Sequence, residues 1–94
     1  MTENDLEKFE PAATVLKAMA HPHRIAILSY LNENDKLCVT DICLKLDVHQ
    51  VVASQHLKLM KQNGLLNRKR SGKNSYYSLN RDNLEKLSKY FYIE

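Results

Sequence analysis

"DVHQVVASQHLKLMKQNGLLNRKR", residues 47–70, contains a turn, an apolar-striped helix, a stop and a basic strand in that order. Asp47 suits a turn that needs left-handed backbone. The spacing then predicts a helix over 50–63, with Val52 or Ala53, His56 or Leu57, and Met60 facing a core. Gly64 is its expected C-terminal stop. Every formal charge after Asp47 in this stretch is positive.

Working outward, Leu66–Arg70 and Asn74–Leu79 flank Ser71-Gly72-Lys73, which reads as two strands joined by a tight turn. On the first strand Arg68 and Arg70 share one face and Lys69 points the other way. Asn80 can cap a last helix with an apolar stripe at Leu84, Leu87 and Phe91. Upstream of Asp47, Thr40 is a plausible N-cap and Asp41 a favourable first-turn acid for a short helix ending near Leu46. Before it comes a polar connection, Glu33-Asn34-Asp35-Lys36. The preceding helix starts at Pro22 and carries Ile25, Ile27, Leu28 and Leu31, ending near Asn32. Leu6, Phe9, Ala13, Leu16 and Met19 or Ala20 also have helical spacing. Pro11 either bends that segment or begins a second helix within it.

The expected fold is mainly α with a small β-hairpin, about five helices and a two-stranded wing, in a single domain spanning 1–94. A hydrophobic content of 44% with only two Pro and two Gly favours a helical globular chain over disorder. No apolar run approaches the ~18 residues of a membrane span. Met1–Asp5 is polar and acidic, unlike a secretory signal, so a cytoplasmic location and no membrane partner are expected. The two cysteines then read as thiols and not as a disulfide framework.

Charge is unevenly placed. Residues 1–47 hold five basic and eight acidic side chains, whereas residues 48–81 hold seven basic and no acidic ones. An acid-free stretch is either a solvated basic face or a footprint for a polyanion. A short helix, a three-residue turn and a second helix make a helix-turn-helix, and the hairpin after it makes the motif winged. The second helix of such a pair can enter the DNA major groove while basic residues on the hairpin neutralise phosphate.

"LKAMAHPHRIAILSYL", "VTDICLKLDVHQVVASQHLKLMKQNGLL" and "RKRSGKNSYYSL" together resemble the ArsR/SmtB family of bacterial repressors over roughly residues 11–80. The linked set carries the resemblance: His-Pro-x-Arg opening a helix, Ser-x-His-Leu-Lys in the next-but-one, and Tyr-Tyr-Ser-Leu closing the wing. It implies a homodimer paired through its first and last helices, with double-stranded DNA as partner. Such a dimer would bind an imperfect palindrome, repress transcription and leave when a signal binds.

Carried across by position, Gln50, Val51, Val52, Ser54 and Gln55 fall on the DNA-facing part of the helix. Gln50 and Gln55 could bond adenine edges, Ser54 a base or phosphate, and Val51 a thymine methyl. Lys58 flanks phosphate or is simply solvated. Arg68, Arg70, Lys73 and Asn74 are the expected wing contacts. Arg24 helps hold the helix-turn-helix or meets phosphate. Val51 and Gln55 depart from relatives that have a small hydroxyl residue and His there, so the operator sequence is not carried over. Leu6, Phe9, Leu84, Leu87 and Phe91 are the dimer candidates.

The family's best-known metal motif in this region is Glu-Leu-Cys-Val-Cys-Asp-Leu. Here Lys36–Ile42 keeps Cys38 but has Thr40 in place of the second cysteine. One thiolate holds a soft ion poorly. The last helix has no histidine, whereas zinc-sensing relatives carry Asp and His pairs there. The usual metal sites are therefore not expected, nor is any cofactor, and no inducer is identified. Cys38 is the candidate for a thiol switch, while Cys43 reads as packed. His21 and His23 are a weak metal pair at a helix start, His49 fits a capping turn, and His56 packs or bonds between helices. No phosphate-binding glycine loop or catalytic constellation occurs, so an enzyme is not expected. The competing reading is a winged-helix protein-interaction module.

Overall fold

The computed structural model describes residues 6–91, with Phe91 described by its backbone alone. Its order is α1 (Glu10–Met19), α2 (Pro22–Glu33), β1 (Leu37–Cys38), α3 (Val39–Leu46), α4 (Gln50–Gln62), β2 (Leu66–Ser71), β3 (Asn74–Leu79) and α5 (Arg81–Ser88), with a 3-10 turn at Lys89–Phe91. Among the described residues, five helices carry a three-stranded antiparallel sheet of order β1-β3-β2. The third strand is an addition to the two-stranded wing expected from sequence: Leu37 pairs with Tyr77 and Cys38 with Tyr76. Two residues are too few to show an alternating pattern.

Each boundary has a local cause. Pro11 lies in the first turn of α1, so the second of its two alternatives holds. His21 caps α2, its Nδ1 accepting from the His23 amide at 3.0 Å. The cap of α3 is Cys38 and not Thr40: the Cys38 amide donates to Asp41 Oδ2 at 3.3 Å, closing the first turn. Asp47 ends α3 at φ 55, the left-handed conformation expected of it. Helix α4 ends with Gly64 at φ 75, where the Gly64 amide donates to Lys61 O and the Leu65 amide to Met60 O, both at 3.0 Å. Asn80 caps α5 by accepting from the Asn83 amide.

The core gathers Ala18, Ile27, Leu31, Leu37, Ile42, Ala53, Leu57, Met60, Leu65, Leu66 and Tyr77. Ala53, Leu57 and Met60 are the members of the α4 alternatives that turn inward. Ile25, expected on the apolar face of α2, is instead 57% exposed. Helix α1 buries Ala12 and Ala18 and half-buries Val15 and Met19, whereas the expected stripe through Leu6, Phe9, Ala13 and Leu16 faces outward. At the other end, Leu87 is buried and Leu84 half-buried against their own chain, so the α5 stripe is closed at those positions.

Candidate nucleic-acid interface

Helices α3 and α4 are separated by three residues, Asp47–His49, and pack against each other beneath α2 and the sheet. The inward stripe of Ala53, Leu57 and Met60 fixes the rotation of α4. That rotation brings Gln50, Val51, Ser54, Gln55 and Lys58 together along one shallow surface depression. Val51 is 67% exposed, which places one apolar side chain among the polar ones of this depression. Val52, predicted with this group, is half-buried and does not line the depression.

The hairpin register pairs Leu66 with Leu79, Arg68 with Tyr77 and Arg70 with Ser75. These residues share one face. Its base is fixed by buried Leu66 and Tyr77, and the chain then runs outward through exposed Arg68 and Arg70. Arg68 is pinned sideways, Nε and Nη2 both donating to Ser75 Oγ at 3.1 and 2.9 Å. Lys73 and Asn74 are exposed around the tip, where Gly72 has φ 62 and open space around it. On the opposite face Lys69 stands across from Tyr76, whose ring also carries Lys36 Nζ at 5.1 Å from its centroid.

Between α2 and α4 the structure assembles a group that sequence spacing keeps apart. The rings of His21, His23 and His56 have centroids 4.5 to 5.3 Å apart, and His23 Nδ1 lies 3.3 Å from His56 Nε2. Burial, then the charges of His21, Arg24 and His23, hold His56 below the ordinary histidine range. Arg24 is half-buried, and its Nε is buried with no hydrogen-bond partner among the described residues. His23 and His56 are 33 positions apart, so no local motif announces the cluster. Only the helix packing joins them.

Cys38 is half-buried, and its thiol donates to Asp41 Oδ2 at 3.1 Å. Those bonds from the thiol and the amide hold Asp41 below the usual carboxylate range. Cys43 is also half-buried and packs against the core, as a structural cysteine does.

A helix pair with a three-residue turn, an outward polar face on the second helix and a basic antiparallel hairpin define a winged helix-turn-helix protein of the transcription-regulator class. The family model described as "Bacterial regulatory protein, arsR family" matches residues 21–68, and the chain belongs to that family. An uncharacterised HTH-type transcriptional regulator of Methanocaldococcus jannaschii is 33% identical over 84 residues, covering 89% of this chain and 94% of the relative. The transcriptional repressor PagR of Bacillus anthracis is 40% identical over 80 residues, covering 85% and 80%. The PagR crystal structure superposes with a TM-score of 0.74 at 37% identity, over 93% of this chain and 99% of that one. A solution structure described as a homodimeric winged helix-turn-helix DNA-binding domain, from Mycobacterium bovis, has a TM-score of 0.77 at 25% identity, covering 94% and 82%.

Proposed function

We propose that this chain is a homodimeric, sequence-specific DNA-binding repressor that reads an imperfect palindrome. In this reading the outward face of α4 enters the major groove and the β2–β3 wing lies along flanking phosphate. The observation that carries it is the α4 depression, where Gln50, Ser54 and Gln55 present neutral hydrogen-bonding groups beside exposed Val51 and Lys58. Neutral amides and hydroxyls discriminate base edges, whereas Arg70, Lys73 and the rest of the acid-free stretch favour any duplex. Arg68, tied to Ser75, is a fixed cation on the same wing.

Leu6 at 57%, Phe9 at 42%, Leu16 at 39% and Tyr90 at 46% exposure supply an outward apolar surface for a second copy. Phe9 and Tyr90 meet edge-to-face with centroids 5.9 Å apart, which joins the start of α1 to the C-terminal turn. Leu84 and Leu87 line a cleft with Pro11, Ala12, Val15 and Tyr90, where α1 meets the C-terminal helix. The Phe91 side chain lies outside the described residues.

Neither of the family's usual metal sites is retained in this reading: Cys38 is bonded to Asp41, position 40 is Thr, and the 81–88 helix has no histidine. The test is fluorescence anisotropy with a duplex from the gene's own upstream region against a scrambled duplex, at two salt concentrations. Tight, salt-sensitive preference for the upstream duplex is expected. Equal weak binding to both would overturn sequence-specific recognition and favour the protein-interaction module.

A further inference from the structure

We infer that His21, His23 and His56 form a binding site for a late first-row divalent cation, Zn2+ foremost, that joins the N-terminus of α2 to α4. One ligand atom from each of the three lies within 4.8 Å of the others. A tetrahedral ion at about 2.0–2.1 Å from imidazole nitrogen sets its ligands about 3.3–3.4 Å apart. His23 Nδ1 and His56 Nε2 already stand 3.3 Å apart. His21 comes into range by a modest ring movement, since its centroid is 4.5 Å from that of His56. All three are half-buried, which leaves one side open for water as the fourth ligand.

The donor set selects the ion. Three neutral imidazoles and a water suit Zn2+, Ni2+ or Co2+ and do not suit Ca2+ or Mg2+, which take oxygen ligands. Arg24 opposes the ion's charge, so this site binds less tightly than a thiolate site would. The site is distinct from the Cys38 region and from the last helix.

Binding has a structural consequence. His21 Nδ1 now accepts the His23 amide proton and caps α2. A neutral histidine that gives one nitrogen to a metal carries its proton on the other, so coordination by His21 releases that cap bond. The His23 amide resonance therefore reports whether His21 joins the ion. On the DNA-binding reading, an ion that ties His56 to α2 also alters the presentation of Gln55 and Lys58 on the same helix.

The experiment uses the full chain stripped of metal and titrated with Co2+. The expected result is one Co2+ per chain with the visible absorption of a tetrahedral site, displaced by Zn2+, and a shift of the His23 amide in a 15N-resolved spectrum. His23→Ala, checked for folding by circular dichroism, should lose more than the about 10–100-fold that follows loss of an outer-shell partner. His49→Ala, the fourth histidine and outside the cluster, should bind as wild type does. Absence of the tetrahedral band, or equal affinity in His23→Ala, overturns the site. Zn2+ should also change the wild-type Kd for the upstream duplex and leave that of His23→Ala in place; no change, or an equal one, overturns the coupling to α4. Co2+ binding by a chain that binds no DNA counts against the DNA reading and supports the site on its own.

Discussion

Helix α4 and the β2–β3 hairpin both present polar side chains outward, but they are anchored differently. Buried Ala53, Leu57 and Met60 sit directly behind the outward residues of α4, so each side chain there has a fixed origin. The hairpin is anchored at its base by Leu66 and Tyr77, Arg68 is tied to Ser75, and from Lys69 to Asn74 the strand and turn residues are exposed. A rigidly placed group suits base readout, where a displaced hydrogen bond is lost. A loosely placed cation suits phosphate, because the attraction falls off gradually with distance. The difference in anchoring therefore parallels the proposed division between specificity and general affinity.

The strongest way to break this comparison is to remove the anchor of one region and a charge of the other. Leu57 is fully buried, and Leu57→Ala should cost about 2–5 kcal/mol of stability in a urea titration at fixed protein concentration. Arg70→Ala should stay within about 0.5 kcal/mol of wild type. A comparable loss in Arg70→Ala would mean that the wing is held by more than its base.

A binding measurement sharpens the same contrast. Gln55→Ala should lose about 1–3 kcal/mol on the upstream duplex if its amide pairs with a base, with little loss on a scrambled one. Arg70→Ala should weaken both duplexes alike and lower the salt slope by about 1. Equal losses for Gln55→Ala on the two duplexes would remove its assigned role.

Two glycines compare the ends of the same two regions. Gly64 terminates α4 at φ 75 and Gly72 turns the wing at φ 62, so alanine is strained at both by about 1–2 kcal/mol. At Gly64 an added Cβ would also stand 2.8 Å from Asn83 Nδ2, disturbing the bond from that amide to Gly64 O. At Gly72 it meets nothing within 4 Å. Gly64→Ala should therefore lower the thermal midpoint more than Gly72→Ala, and the reverse order would contradict the packed end of α4.

These regions also explain what was legible in the sequence. Turn and stop residues act locally, so Asp47, Gly64, Asn80 and the Gly72 turn could be read without neighbours. The face of a helix is legible only where one apolar stripe dominates. Helix α4 has such a stripe once its paired alternatives are resolved by contact with α3 and β2. Helix α1 has two, and spacing picked the outward one because Ala12 and Ala18 are weakly apolar beside Leu6, Phe9 and Leu16. Strand β1 exists because β3 offers Tyr76 and Tyr77 as pairing partners, which no local signal contains. The histidine cluster was hidden for the same reason. Its members became one group only when α2 and α4 were packed together.

The smallest expected effect concerns the junction of the two regions, where β1 enters α3. Asp41 accepts from both the amide and the thiol of Cys38, and it holds the first turn of α3 against the strand that pairs with the wing. Asp41→Ala should cost about 0.3–1.5 kcal/mol, the usual range for a capping interaction. Because the folded carboxyl lies below its ordinary range, Asp41 contributes fully at pH values above the unfolded carboxylate pKa of about 3.9. That contribution fades as pH falls through the lower folded value. Urea titrations of wild type and Asp41→Ala should thus differ at pH 7 and converge in strong acid. A difference that persisted unchanged below the folded pKa would mean that Asp41 acts through packing and not through its charge. Cys38→Ser, which keeps a donor at the same position, should retain most of the wild-type stability, whereas Cys38→Ala should lose part of the cap.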